Sequence, residues 1–228
     1  MNEIRIIPVE GVPEVVMGDD LALLIVDAFG PDRFRDGDVV VVTQKVVSKC
    51  EGRVLAATER ERAIGDESVR ILRRSGGMVI SETRHGFVCA NAGVDASNLD
   101  EGHIALLPVD PDASARRIRA RINHLSSRDV GVVVSDTFGR AWRLGQTDIA
   151  IGVAGIDPFI DYRGTTDTKG RELSATRIAV ADELAGAAEM AMGKAERICA
   201  AVVRGGPVRF GRGAATELVR PPHDDLFR

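Results

Sequence analysis

Two valine-rich runs constrain the fold of this chain more than any other part of its sequence. One spans 39–43 and reads VVVVT, and the other spans 130–134 and reads VGVVV. Their length and β-branched composition predict strands, and their lack of polar alternation predicts that both faces of each strand are covered. Cover on both faces requires further layers of structure around the sheet. We therefore predict an α+β protein in which helices flank a sheet.

The rest of the chain alternates between short strand patterns and helix patterns. Helices are predicted over 21–29, 112–125 and 182–192, with one or two more over 58–74. Further strands are predicted over 4–9, 78–81, 86–90, 104–107, 173–180 and 198–203. The sequence shows no internal repeat and no low-complexity linker. We therefore predict one domain over 1–228, with two interleaved subdomains as the alternative.

Composition excludes several classes of protein. The 228 residues can bury a full core, and the net charge of −4 argues against general nucleic-acid binding. No apolar run approaches the roughly 20 residues that a membrane helix needs, and the N-terminus lacks the pattern of a signal peptide. The three cysteines are widely spaced and fit neither a disulfide framework nor a metal site. We predict a cytoplasmic protein with reduced thiols and with no nucleic-acid or membrane partner.

Polar residues follow the predicted strands in four places. The clusters span 44–53, 91–98, 135–148 and 204–207, and each begins where an apolar run stops. Functional groups carried by the ends of strands on a rigid sheet are a common way to build a site. We therefore expect the clusters to contribute to one shared site.

The residue types in these clusters indicate a metal ion and phosphate groups. Asp95 and Asp136 supply hard oxygen ligands, and Thr137 and Asn98 add neutral oxygens. Basic residues suited to phosphates or carboxylates accompany them, namely Lys45, Lys49, Arg140, Arg143 and Arg204. This inventory predicts metal-assisted phosphoryl transfer. The alternative is that Asp95 only organises its own turn and that the arginines form surface ion pairs.

The familiar nucleotide-binding loops are absent from the sequence. There is no G-x-x-x-x-G-K-[ST] loop and no G-x-G-x-x-G after a strand, so a nucleotide must be held by another arrangement. Cys50 lies beside a polar cluster, and we interpret it as a small core residue rather than a nucleophile.

Several long segments resemble the F420:gamma-glutamyl ligase family, whose members are coenzyme F420-0:L-glutamate ligases. The segments include DGDVVVVTQKVVSKCEGR, NAGVDASN, VVVSDTFGRAWRLGQTDIAIGVAGI and VADELAGAAEMAMGK, and the resemblance extends over nearly the whole chain. It implies a mixed sheet in a non-Rossmann fold and an intertwined homodimer. The chain resembles the stand-alone ligase domain, without the nitroreductase-like domain to which it is fused in some bacteria.

The resemblance also implies a reaction. GTP would activate the lactyl carboxylate of coenzyme F420-0 as an acyl phosphate, and L-glutamate would then displace phosphate to form an amide. Further glutamates would be added through γ-linkages. Two divalent ions, Mg²⁺ or Mn²⁺, are implied, with K⁺ as a further candidate ion.

Family positions map onto particular residues of this sequence. The implied metal ligands are Asp95, Asp136 and Thr137, and we add Glu196 as a candidate ligand. The implied nucleotide-binding residues are Val12, Pro13, Glu14, Val15, Gln44, Lys45, Lys49 and Asn98, and we add Lys194 on its charge. Asp136 and Lys49 are the implied catalytic residues, and we add Arg140 on its charge and position.

One departure concerns the segment after the last predicted helix. Lys194 stands where archaeal members carry a metal-binding glutamate, and Glu196 is the alternative ligand. Lys194 would instead bring a positive charge to phosphate directly. Two other functions stay open at this point. One is a related ligase that acts on another carboxylate acceptor, and the other is a non-catalytic protein that binds a deazaflavin or a nucleotide.

Overall fold

A computed structural model of the chain describes residues 3–226. Its strands are β1 (Arg5–Pro8), β2 (Val39–Thr43), β3 (Val54–Ala56), β4 (Ser68–Ser75), β5 (Met78–Thr83), β6 (Val88–Ala90), β7 (His103–Ala105), β8 (Gly131–Arg140), β9 (Arg143–Ala154), β10 (Ile160–Asp161), β11 (Arg177–Ile178) and β12 (Ala200–Arg204). Its α-helices are α1 (Leu21–Phe29), α2 (Gln44–Cys50), α3 (Arg60–Glu67), α4 (Pro111–Ser126) and α5 (Val180–Met192). Short 3-10 helices span Pro31–Arg33, Ala57–Glu59, Asn91–Gly93, Ala215–Leu218 and Pro222–Asp224.

A mixed five-stranded sheet forms the centre of the fold, as predicted. Its strand order is β1-β12-β2-β8-β9. The two valine-rich strands, β2 and β8, pair in parallel, with Val40 opposite Val132 and Thr43 opposite Ser135. The other three pairings are antiparallel. The parallel pairing ends at Thr43 and Ser135, so the residues that follow β2 lie close to the part of β8 beyond Ser135.

Alternate valines of the central strands enter two different hydrophobic cores. Val40 and Val132 pack with residues of α1, α2 and α4, whereas Val41 and Val133 pack with residues of α5. All four side chains are fully buried. Successive side chains of a strand point to opposite faces, so helices on both sides of the sheet require apolar residues at every position. The prediction that both faces are covered is confirmed.

The hairpin of β8 and β9 is longer than we predicted. We placed the end of the first strand at 134 and expected its polar residues to follow that end. In the structure β8 continues to Arg140, and β9 begins at Arg143. Thr137 pairs with Asp148, and Phe138 pairs with Thr147. The predicted end was wrong because backbone pairing with β9 holds polar residues in an extended conformation that their own propensity does not favour.

Two other predicted elements are corrected by the structure. The helical prediction over 58–74 holds for α3, but its second half is β4, which forms a hairpin with β5 across Gly76 and Gly77. A Gly-Gly pair between β-branched runs is a hairpin signal, and we interpreted it as a helix end. Of the predicted strand over 173–180, only Arg177 and Ile178 form a strand, β11, and α5 begins at Val180.

Helices α1 and α4 lie where the sequence predicted them. Asp20 caps α1 by accepting a hydrogen bond from the backbone of Leu23. Asp110, rather than the predicted Asp112, caps α4. The Asp112 carboxylate is buried and accepts hydrogen bonds of 2.8 Å from the backbone of both Val153 and Ala215. Within residues 3–226, no helix is long and apolar enough to cross a membrane.

A smaller hydrophobic core lies apart from the central sheet. It contains Ala63 and Ile64 of α3 and Val79 of β5, together with Val94, Ile104 and Leu106. Two small sheets contribute residues to this core. One consists of β3 and β7, and the other has the order β4-β5-β6. This part of the chain carries the loop that contains Asp95, so it bears directly on the candidate site.

A buried ion pair joins the end of β12 to the residue that precedes β2. Arg204, at the end of β12, donates to both carboxylate oxygens of Asp38 at 2.7 Å and to the carbonyl of Arg33. The Asp38 side chain is 1% exposed. Arg204 is therefore engaged in a structural ion pair, which argues against our prediction that it contacts a substrate carboxylate or phosphate.

Replacing Arg204 tests this role. Arg204→Met leaves the Asp38 carboxylate buried without its partner, and we expect the free energy of unfolding to fall by about 3 kcal/mol. Urea denaturation monitored by circular dichroism measures the change. The matched control is Arg5→Met, whose partner Glu3 is exposed, and this variant should unfold almost as the wild type does. Equal stability of the two variants would contradict a structural role for Arg204.

Candidate active site

The candidate site lies where β8 leaves the hydrophobic core. Asp136 and Thr137 are adjacent in this strand, so their side chains point to opposite faces of the sheet. Asp136 shares the face of Val134 and Phe138, which belong to the core under α1, α2 and α4. Thr137 lies on the face that α5 covers. Our prediction grouped the two residues as one set of metal ligands, and the structure distributes them over two sides of one strand.

The side of Asp136 is bounded by α2 and by the loop that contains Asp95. The Lys45 ammonium donates to Asp95 Oδ2 at 2.6 Å, and to the carbonyl and the hydroxyl of Ser97 at 2.6 and 2.5 Å. Asp95 also accepts hydrogen bonds from the backbone and the hydroxyl of Ser97. The carboxylate thus organises its own turn, as our alternative held, and it also binds a lysine from α2.

Neighbouring groups keep Asp95 ionised. Burial disfavours the charged carboxylate, but the hydrogen bonds from Lys45 and Ser97 outweigh burial and hold the pKa of Asp95 below its ordinary value. A carboxylate that remains charged at neutral pH is a competent ligand for a hard cation.

Helix α2 presents two lysines on one face and packs through the opposite face. Lys45 and Lys49 are four residues apart, which places their side chains one above the other. Lys49 forms an ion pair with Glu14. The side chain of Gln44 is buried and donates to Ser48 and to the carbonyl of Leu106. The structure therefore places the segment that contains Glu14 beside α2. The Gln44 side chain is buried and engaged in hydrogen bonds inside the protein.

The segment around Glu14 is partly anchored in the core. Val15 is buried in the core under α1 and α4, and Val12 packs against that core, whereas Pro13 and Glu14 are exposed. A segment held by two valines can offer its backbone to a ligand.

On the opposite face of the strand, Asp148 is the central group. It comes from β9, is 3% exposed, and accepts hydrogen bonds from Ser135 at 2.9 Å and Thr137 at 2.6 Å. Lys194 donates to both Thr137 and Asp148, at 2.6 and 3.1 Å, and lies 3.3 Å from Glu189 of α5. We did not predict roles for Asp148 and Glu189. Only the hairpin register, which places Asp148 opposite Thr137, would have indicated the former.

The remaining predicted residues lie near the two sets of side chains on either face of β8. Asn98 donates to the carbonyl of Lys194 at 3.4 Å and so links the two sides. Glu196 accepts a hydrogen bond from the backbone of Ala195 within its own loop. Arg140 is exposed near the end of the hairpin and donates to the carbonyl of Leu144 at 3.2 Å. The structure therefore joins Asn98 to the site, and the roles of Glu196 and Arg140 stay predictions.

The fold disfavours ionisation of the Asp136 carboxylate. Burial is the largest cause and raises its pKa to about 7, and the charges of Asp148 and Asp95 act in the same direction. The backbone N–H of Thr137 and the charge of Lys45 lower the pKa but do not compensate. A cation bound beside Asp136 would stabilise its ionised form.

The residues of the site are suited to a divalent cation whose remaining coordination positions are filled by a bound ligand and water. Within residues 3–226, no three His, Cys, Asp or Glu side chains approach closely enough to form a metal site by themselves. Mg²⁺ is ordinarily bound through one or two carboxylates and completes its coordination with phosphate oxygens and water. Asp95 and Asp136 supply that number of carboxylates, and both interact with Lys45.

Carboxylates that can hold a divalent ion and lysines that can contact phosphate are the groups that enzymes of phosphoryl transfer use, and both kinds meet at this part of the sheet. Comparison with known families gives a narrower assignment. Residues 11–205 match the model of the family F420-0:Gamma-glutamyl ligase. The chain belongs to this family, and the resemblance noted in its sequence is confirmed.

Similar proteins include several named Coenzyme F420:L-glutamate ligase. The protein from Methanothermobacter thermautotrophicus is 43% identical over 99% of both chains. The one from Archaeoglobus fulgidus is 40% identical over 99% of this chain and 96% of its own. The one from Methanocaldococcus jannaschii is 42% identical over 85% of each chain.

The raised pKa of Asp136 predicts a pH dependence of stability. The folded protein holds this proton up to about pH 7, whereas the unfolded chain loses it near the ordinary value of 3.8. The contribution of Asp136 to stability is therefore present below about pH 4 and is lost as the pH rises through 7. The side chain in Asp136→Asn does not titrate, so the unfolding free energy of the variant minus that of the wild type should increase across this range. Urea denaturation at several pH values measures the difference, and a constant difference would contradict the prediction.

Proposed function

We propose that this chain is a GTP-dependent ligase that joins L-glutamate to the lactyl carboxylate of coenzyme F420-0. The observation that supports the proposal is the sheet edge at which Asp95 and Asp136 meet Lys45, in a chain whose relatives at 40–43% identity are named Coenzyme F420:L-glutamate ligase. The proposal specifies the co-substrate and the bond that is formed.

The reaction follows from the low reactivity of a carboxylate toward amines. A carboxylate oxygen of F420-0 attacks the γ-phosphorus of GTP and displaces GDP, which leaves an acyl phosphate. The amine of L-glutamate then attacks the acyl carbon, phosphate leaves with the bonding electron pair, and the amine loses a proton. The products are the glutamylated coenzyme, GDP and phosphate. Repetition with further L-glutamate extends the product through γ-linkages.

The residues of the chain bind and orient these charged groups. Lys45 and Lys49 lie one turn apart on α2 and would contact phosphate oxygens of GTP, with the backbone of Val12–Val15 beside them. Asp95 and Asp136 would hold Mg²⁺ or Mn²⁺, which neutralises phosphate charge when bound. Arg140, on the exposed hairpin, is our candidate for contact with an acidic substrate, and K⁺ dependence is a further part of the proposal.

The reaction itself provides the first test. Purified protein is incubated with GTP, Mn²⁺ or Mg²⁺, L-glutamate and coenzyme F420-0, with and without K⁺, and mass spectrometry follows the coenzyme. We expect a mass increase of one glutamyl unit together with formation of GDP. If phosphate is released with a different carboxylate acceptor but not with coenzyme F420-0, the protein is a related ligase. GTP binding without GDP formation in the complete mixture would indicate a binding protein.

Substitution of the carboxylates tests their role. Asp136→Asn and Asp95→Asn each remove a charged cation ligand, and we expect turnover to fall by about 100-fold or more. Asp32→Asn, at an exposed position in a 3-10 helix, is the matched control and should keep wild-type turnover. Circular dichroism of all three variants checks that they fold. Full activity of folded Asp136→Asn would remove Asp136 from the proposed mechanism.

We also propose that the protein is a homodimer. The tip of the β8–β9 hairpin exposes Leu144 completely and Trp142 by 85%, and β4 exposes Val69 by 69% at an edge of its sheet. Exposed apolar side chains on a projecting hairpin and on an edge strand are typical of surfaces that contact another chain.

A charge at the hairpin tip tests the dimer. Leu144→Asp should shift the protein from dimer to monomer in light scattering coupled to size exclusion, because the interface would have to bury the new carboxylate. Leu226→Asp, at a position that is 89% exposed near the C-terminus, is the matched control and should remain dimeric. A monomeric wild type would contradict the homodimer, and a dimeric Leu144→Asp would place its interface elsewhere.

A further inference from the structure

Lys194 lies in a cage of oxygen atoms on the α5 side of the site. Helix α5 ends at Met192, and the next residue, Gly193, has a φ of 62° that turns the chain back toward the sheet. The ammonium of Lys194 then reaches Thr137 Oγ1 at 2.6 Å, Asp148 Oδ1 at 3.1 Å and Glu189 Oε1 at 3.3 Å. These three oxygens come from β8, β9 and α5, so three separate elements converge on one ammonium group.

The ammonium of Lys194 faces two carboxylates in this cage, those of Asp148 and Glu189. The Asp148 carboxylate is almost wholly buried, and its second oxygen accepts a hydrogen bond from Ser135 at 2.9 Å. A buried carboxylate needs a compensating cation, and Lys194 is in direct contact with it. Burial disfavours the ammonium, but its contacts with Asp148 and Glu189 outweigh burial and raise the pKa of Lys194 above its ordinary value. The lysine is therefore charged at neutral pH.

The oxygens of the cage are those that a hard divalent cation uses. A hydroxyl and two carboxylates are typical ligands of Mg²⁺ and Mn²⁺. An ammonium group with three N–H donors can satisfy the same three acceptors. The face of Asp136 differs, since its carboxylates Asp95 and Asp136 share Lys45 and burial still favours the neutral form of Asp136.

We propose that Lys194 is a resident cation that occupies the position of a divalent ion on the α5 face, so that this chain binds one divalent cation, at Asp95 and Asp136, instead of two. The inference rests on the proposed function only for the use of that one cation in catalysis. Lys194 is then a positioning residue that keeps Asp148 and Thr137 in place without metal.

Removal of the ammonium should open the cage to a metal ion. In Lys194→Met we expect one additional Mn²⁺ per chain relative to wild type, counted by electron paramagnetic resonance of free Mn²⁺ during a titration of the protein with MnCl₂ alone. Saturating Mn²⁺ should also raise the Tm of this variant by about 5 °C more than that of wild type, because the ion binds only the folded cage. The Lys194 side chain is 55% exposed, so the substitution leaves the hydrophobic cores intact.

Two control variants separate the cage from a general effect of charge. Lys194→Arg keeps a cation in the cage, and Lys169→Met removes the same charge from an exposed turn, so both should bind the wild-type number of ions. Equal Mn²⁺ stoichiometry and equal Tm shifts in Lys194→Met and wild type would overturn the inference, as would two ions in the wild type. Neither measurement uses GTP or coenzyme F420-0, so failure of the proposed ligase reaction would appear separately, in the turnover assay.

Discussion

The parallel pairing of β2 and β8, buried on both faces, is the constraint on which the rest of the structure depends. Fully apolar strands must be covered on both sides, so α1, α2 and α4 pack on one face and α5 on the other. The parallel alignment places the end of β2 beside the middle of β8, at the pair Thr43 and Ser135. Lys45 follows β2 at that point, and Asp136 lies on β8. The core thus determines where the charged groups meet.

Beyond the core, strand geometry separates these groups into two sets. Because side chains alternate along β8, Asp136 faces the loop of Asp95 and Lys45, whereas Thr137 faces Asp148 and Lys194. Each set contains one lysine, but their electrostatics differ. Burial raises the pKa of Asp136 to about 7, whereas the cage around Lys194 stabilises its ammonium. The side of Asp136 is therefore better suited to an added cation.

Family membership and local structure answer different questions about this chain. Similarity to proteins named Coenzyme F420:L-glutamate ligase supports the proposed reaction, since about two residues in five are identical over most of the chain. It does not determine how an individual substitution changes the site. The consequence of a lysine at position 194 follows from the oxygens around its ammonium, and the role of Arg204 follows from the buried carboxylate of Asp38.

The sequence by itself determined an α+β protein with helices around a central sheet, the central strands, α1 and α4, because apolar periodicity and helix caps are local signals. It also predicted that Asp95, Asp136 and Lys45 belong to one site, and the structure brings these side chains near one another. Only the tertiary structure decided that 68–75 and 135–140 are strands and that Asp148 lies opposite Thr137. Strand pairing joins residues that are distant in sequence, and its register depends on both partners, so no single segment encodes it.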